Sequence, residues 1–291
     1  MTVRRFVVVA PYAWLLAFFL APFGIVALIS LSHAITGQPP YAPLIDFAAG
    51  APAFHGSFGN YAFLLSESLY VKALLSSLRI ALVTTVLCLL VAYPMAYSIA
   101  RANERYRGVL LLAVVLPFWT SFLIRVYAWM GLLRDNGIVN HALMSLGLIE
   151  EPLKIINTDV AVYIGIVYAY LPFMILPLYA TLERLDWRLL DAAADLGCRP
   201  FKAFLTITLP LSAPGVLVGA LLVFIPVTGE FVIPALLGGP DTLMIGKVLW
   251  EEFFNNRDWP VASALAVLVV IVLLPAIGGL QWAQARDRGA P

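Results

Sequence analysis

Apolar and polar positions alternate along this chain on a scale of tens of residues rather than two or four. Six apolar runs stand out, at about Phe6–Leu31, Leu69–Ala100, Gly108–Leu133, Val160–Leu182, Pro210–Leu237 and Pro260–Ala283. Each reaches the roughly 20 residues that a helix needs to cross a bilayer. The pattern predicts an all-α, polytopic membrane protein with six transmembrane helices. The first run is too long for a signal peptide and closes without a small-x-small cleavage site, so it reads as a retained helix. The second exceeds the length of one crossing. Its start, Leu69 to about Leu78, is assigned to the outer interface, with Arg79 reaching to the headgroups.

The segments between the runs have their own texture. Residues 32–67, rich in Pro, Gly and Ala, suit an irregular cap with little helix. Residues 136–148 and 242–254 have helical periodicity over short lengths and are expected to form surface helices along the membrane. The tripeptide LPF occurs at 116–118 and 171–173, which is too short to establish an internal repeat. The chain divides into residues 1–67 (first helix and cap), 68–285 (a five-helix core) and 286–291 (a tail).

Composition agrees with the spans. The 291 residues are 62% hydrophobic and only 12% charged, with a mean hydropathy of +0.92. Soluble domains carry about 25% charged residues. A net charge of +1 offers no basic face for nucleic acid. Cys88 and Cys198 lie in different settings, so no disulfide is expected, and His33, His55 and His141 are scattered, so no metal site is expected. With the N-terminus inside, eleven of the 18 Lys and Arg fall on one face and five on the other, leaving Arg79 and Arg125 within spans. The positive-inside rule then places both termini, and the segment between the fourth and fifth spans, in the cytoplasm.

That cytoplasmic segment reads LDAAADLGCRPFKAFLTITLP from Leu190 to Pro210. Trp187–Leu196 has strong helix formers, with an apolar stripe of Leu189, Leu190, Ala193, Ala194 and Gly197 opposite Asp191 and Asp195. Gly197 can take the left-handed conformation that ends a helix, and Pro200 suits the first turn of the next, which carries Lys202 and runs to Pro210. A short amphipathic helix at about 186–203, set off by glycine and proline, is shaped to dock in another protein's groove.

The spacing D-A-A-x3-G-x9-I-x-L-P, carried by Asp191, Ala192, Ala193, Gly197, Ile207, Leu209 and Pro210, resembles the coupling motif of permease subunits of bacterial binding-protein-dependent ABC importers. That family usually has Glu where this chain has Asp191; the charge is kept and the side chain is shorter. LPFWTSFLIRVYAW, VYIGIVYAYLPFMILPLYATLERLD and GEFVIPALLGGPDTLMIGKVLWEEFFNNRDWP are similar to polyamine permeases, the third most of all to the putrescine type. The resemblance covers the chain from about residue 60 onward. It implies a type I importer fold in the bacterial inner membrane and a docking helix that follows closure of an ATPase. It further implies two ATPase subunits, a second homologous permease, a periplasmic substrate-binding protein and a polyamine cargo such as putrescine or spermidine.

No nucleotide site is expected here. GGPDTLMIGKV misses the phosphate-loop spacing, so ATP and Mg belong to partner subunits and the chain itself is not an enzyme. An ion-coupled carrier would be expected to show repeated halves with paired broken spans, and an intramembrane enzyme a metalloprotease or nucleophile-elbow motif; neither is present. Glu230, some 20 residues into the fifth span and flanked by Pro226, Gly229 and Pro234, has two readings: contact with an ammonium substrate, or an ion pair with Arg125. Trp119, Tyr127 and Trp129 on the third span, and Tyr168 and Tyr170 on the fourth, offer ring faces to a cation or simply pack. EEFFNNRDWP (251–260) reads as a receiving surface for the binding protein, a polycation attractor or a solvated loop.

Overall fold

The computed structural model describes residues 9, 11–46 and 53–289. Arg4 and Arg5, which enter the orientation count, lie outside the described residues. Among the described residues the fold is helical apart from a two-residue antiparallel pairing in the cap, Ile45–Asp46 with Ala53–Phe54, and an isolated antiparallel bridge between Ala34 and Tyr41. Among the described residues, five helices are long and apolar enough to cross a membrane: Pro11–Ile29, Ser68–Arg101, Asp159–Leu182, Pro200–Thr228 and one starting at Trp259. The last continues to Gly289, through positions the sequence assigned to a tail. A sixth crossing is available only if a bent pair, Glu104–Trp119 and Phe122–Ser145, counts as one span.

Three boundaries differ from the sequence pattern, each for a local reason. The third run bends by 91° at its break. Pro117 sits in a 3-10 turn, Leu116–Trp119, and Thr120 Oγ1 donates to the Pro117 carbonyl at 2.7 Å, so the ladder ends there. The other LPF copy stays inside an unbroken helix, Asp159–Leu182. The fifth helix starts ten residues before Pro210 and passes through it, because a π-turn at Phe204–Thr208 precedes it and its capping N–H, on Leu209, bonds back to the Phe204 carbonyl. The same helix stops at Thr228, not Leu237. Continuing would put the Pro234 ring against the carbonyl of residue 230. Breaking at 229–231 moves Pro234 into the first turn of a new helix, Val232–Leu237, where its missing N–H removes no bond. In the cap, Gly59–Ser66 is helical, against the expectation of little helix. The segments 136–148 and 242–254 are helical as expected, at Ile138–Ser145 and Ile245–Trp250, but the second is not a surface helix, since Met244, Ile245, Val248 and Glu252 are buried.

Contacts divide the chain into two compact units, one ending at Leu74 and including Ile245–Leu274, the other made of Leu75–Met244 and the chain from Pro275. In the first unit, Asn60 Nδ2 donates to the carbonyls of Ser30 and Ser32, both at 2.8 Å. Tyr70 donates to Glu252 Oε1 at 2.8 Å. Its helix Pro11–Ile29 contributes no buried side chain. In the second unit, the fourth and fifth spans pack at close range. A Cβ on Gly215 would lie 2.5 Å from Thr181 Oγ1 and 2.9 Å from the Pro177 carbonyl. Small residues let helix backbones approach in lipid, where the hydrophobic effect gives no drive. Cys88, Ala92 and Ala96 of the second span join this core, and Tyr93 and Ser212 share a buried hydrogen bond of 2.7 Å.

The close approach makes a testable case. Gly215→Val is expected to lower the thermal midpoint and yield of the purified subunit, since overpacking against a carbonyl that cannot move costs about 1–3 kcal/mol. Gly131→Ala is its control: a Cβ there meets nothing within 4 Å, and stability should not fall.

Candidate functional site

The segment between the fourth and fifth spans forms the expected helix-turn-helix. Asp186 Oδ1 accepts from the Arg188 N–H at 3.1 Å and starts the helix Arg188–Asp195. Its end is a Schellman motif: Gly197 N–H donates to the Ala194 carbonyl and Cys198 N–H to the Ala193 carbonyl, both at 2.9 Å. Gly197 has φ +73°. The next helix opens at Pro200 and runs directly into the fifth span. Asp191 and Ala192 are exposed on the short helix, and Ala193 is buried. Ile207 and Leu209 are half-buried and Pro210 is exposed, all on the fifth-span helix. The seven motif residues therefore occupy two elements joined by one turn.

Of the apolar stripe, Ala193 is buried and Leu190 half-buried, while Leu189, Ala194 and Gly197 are exposed. Leu196, which is 88% exposed, and Phe201 are the apolar groups that project furthest from the turn.

The pattern did not reveal what holds this projection in place. The Trp187 ring meets Tyr97 of the second span edge-on at 5.5 Å, and the Arg101 guanidinium lies 5.4 Å from the Trp187 ring and 5.7 Å from the Tyr97 ring. Arg107 pairs with Glu183 at 3.0 Å, the one ion pair among the described residues, and also donates to the Ala100 carbonyl. In the sequence, Arg101 and Arg107 are two of the eleven basic residues on one face. A basic residue next to a span end and an aromatic at the start of an interhelical loop were the available signal. It is weak, because the partners are about 80 residues apart.

A second constellation lies at the break after Thr228. Glu230 is 8% exposed, and its carboxylate accepts three hydrogen bonds: from Tyr170 O–H at 2.6 Å, Val232 N–H at 3.0 Å and Ile233 N–H at 3.4 Å. It ties the fourth span to the N-terminus of the new helix, where N–H groups lack partners and a negative charge is favoured. The expected ion pair with Arg125 is not formed. The Arg125 guanidinium lies 4.9 Å from the Phe118 ring and 5.8 Å from the Phe122 ring, with its Nε buried and without a hydrogen-bond partner. The reason is geometric: the bend at residues 120–121 sets Arg125 on an aromatic shelf, and the broken fifth span turns the Glu230 carboxylate to backbone N–H groups and Tyr170. Arg125 and Tyr170 line one cavity of about 600 Å³. Tyr168 and Trp129 line another, with ring centroids 5.3 Å apart. Trp119 and Tyr127 are exposed. Of the aromatic candidates, Tyr170 meets Glu230, while Trp129 and Tyr168 line a separate cavity and Trp119 and Tyr127 are exposed.

The fold is shared with chains of solved ABC transporters. The chain superposes with a TM-score of 0.66 on a chain of a bacterial ABC transporter involved in import of the acidic polysaccharide alginate, covering 97% of this chain and 95% of that one at 17% identity. A chain of the methionine ABC transporter MetNI in an inward-facing conformation gives 0.54, covering 75% and 94% at 16% identity. At these identities the likeness is one of fold. The chain matches, over residues 2–278, the family described as binding-protein-dependent transport system inner membrane component, and it belongs to that family. It is 38% identical over 270 residues, 93% of this chain and 90% of the relative, to the spermidine/putrescine transport system permease protein PotB of Haemophilus influenzae. With PotB of Escherichia coli K12 it shares 43% over 214 residues, 74% and 78% of the two chains. The molybdenum transport system permease protein ModB of Azotobacter vinelandii is 30% identical over 58% of this chain. The protein is a multi-pass inner-membrane permease of the ABC importer class.

Proposed function

We propose that this chain is one of two transmembrane subunits of an ABC importer that moves polyamines of the putrescine and spermidine type into the cytoplasm, driven by ATP hydrolysis on two partner ATPase subunits and supplied by a periplasmic binding protein. The observation that carries the cargo class is identity to a spermidine/putrescine permease across 93% of the chain. Both termini and the Arg188–Asp195 helix are cytoplasmic in this reading, and the loop 238–258 is external. The molybdenum relative favours a second reading of cargo alone, since one permease fold serves chemically unlike solutes.

The geometry supports a mechanism of coupling. A push on Leu196, Phe201 and Asp191 by a closing ATPase has two rigid routes into the membrane. One runs back through Trp187, Tyr97 and Arg101, with Arg107 and Glu183 beside them, to the fourth, second and third spans. The other runs forward along the unbroken helix Pro200–Thr228 to the break that Glu230 ties to Tyr170. Because the fourth and fifth spans pack at glycine distance, they shift together while the break absorbs the difference.

The test is uptake by proteoliposomes holding the full complex, with ATP inside and loaded binding protein outside. ATP-dependent accumulation of labelled putrescine or spermidine is expected. Uptake without ATP would overturn the class, and ATP-dependent uptake of a different solute alone would overturn the cargo.

A further inference from the structure

The loop ahead of the last span contains a charged group that the transport reading leaves unused. Arg257 has φ +54°, a left-handed backbone that residues bearing a Cβ rarely adopt. Its neighbours hold it there. Asn256 N–H donates to the Glu251 carbonyl and Asp258 N–H to the Glu252 carbonyl, both at 2.9 Å. Asn256 Nδ2 donates to Glu252 Oε2 at 2.9 Å, while Tyr70 donates to the other oxygen of that buried carboxylate at 2.8 Å. Asp258 Oδ1 accepts from the Val261 N–H at 3.0 Å, capping the last helix. Two acids of the segment are thus consumed inside the fold. Strained residues persist where the surroundings over-determine them, and they cluster at functional sites.

The Arg257 side chain is exposed and makes no hydrogen bond or ion pair among the described residues. It borders a cavity of about 460 Å³ walled by Pro39, Pro40, Phe253, Phe254 and Trp259. The Phe253 and Trp259 rings stack 5.0 Å apart and 5° from parallel, and Phe254 is 54% exposed. Among the described residues no carboxylate lines this cavity, so its charge disfavours an amine. A planar guanidinium at the rim of an aromatic pocket suits a carboxylate carried on a short apolar side chain. Arg and aromatic residues are also those enriched where protein partners bind tightly.

We propose that this pocket receives an Asp or Glu side chain from the soluble substrate-binding protein when it docks on the permease. The inference rests on the importer reading and its external placement of this loop. The test uses the full complex in nanodiscs of zwitterionic lipid, titrated with its own loaded binding protein. Arg257→Gln is expected to raise Kd about tenfold or more at low ionic strength, with basal ATPase activity unchanged. Arg257→Gly, which relieves the backbone while removing the guanidinium, should show the same loss. A Glu-to-Arg or Asp-to-Arg change on the binding protein should rescue Arg257→Glu. Equal Kd for wild type and Arg257→Gly overturns the proposal. So does a defect seen only when the discs contain anionic lipid, because the pocket would then be reading headgroups. If the wild-type complex fails to bind the binding protein, the importer reading falls with it.

Discussion

Gly197→Val is expected to leave the subunit inserted and assembled but to cut stimulation of the ATPase by loaded binding protein about tenfold. At φ +73° a side chain costs on the order of 1–2 kcal/mol, and more when branched at Cβ. The helix Arg188–Asp195 is only eight residues long and takes its C-terminal order from the two Schellman bonds. A short helix holds little stability of its own against that cost. A Cβ at this position meets nothing within 4 Å, so the penalty is one of backbone and not of crowding. Gly197→Asn separates the two causes: Asn tolerates the left-handed region and should keep most of the stimulation, although it is as large as Val. Normal stimulation in Gly197→Val would remove the docking role of this turn.

The second large effect is expected at Glu230. Glu230→Ala withdraws the acceptor from Tyr170 and from two backbone N–H groups at once. Each polar group left buried and unpaired costs about 1–3 kcal/mol, so the purified complex should melt several degrees lower and yield should fall. Glu230→Gln keeps an oxygen for the N–H groups and should retain assembly and much of the uptake. Tyr170→Phe should show coupling to Glu230→Ala in a double-mutant cycle. Arg125→Gln should bring no rescue of Glu230→Ala, because the two side chains do not pair. An intact Glu230→Gln complex that has lost all uptake would show instead that the charge itself meets the cargo.

These two sites were legible to different degrees. Gly197 and Pro200 act through their own backbone chemistry, so a glycine after a helical stretch and a proline opening the next were enough to place the turn. Glu230 acts through Tyr170, 60 positions away, and its role depends on where the fifth span breaks. The pattern ran that span on to Leu237, because Pro226, Gly229 and Pro234 lie in an unbroken apolar run and hydropathy does not register a break.

By itself, the sequence determined which segments are apolar enough to enter a bilayer. It also determined that the segment between the fourth and fifth spans is a helix, a left-handed turn and a helix. These are properties of composition and of local backbone preference. Only the tertiary structure decided which faces pack, where Pro117 bends its span while Pro172 in the same tripeptide does not, and that Arg101 lies over Trp187 and Arg107 pairs with Glu183 just ahead of the helix Arg188–Asp195. In lipid, the inward and outward faces of a helix are both apolar, so periodicity carries almost no record of packing. What distinguishes them is close approach at Gly215 and hydrogen bonds such as that between Tyr93 and Ser212, and these exist only once distant spans have met.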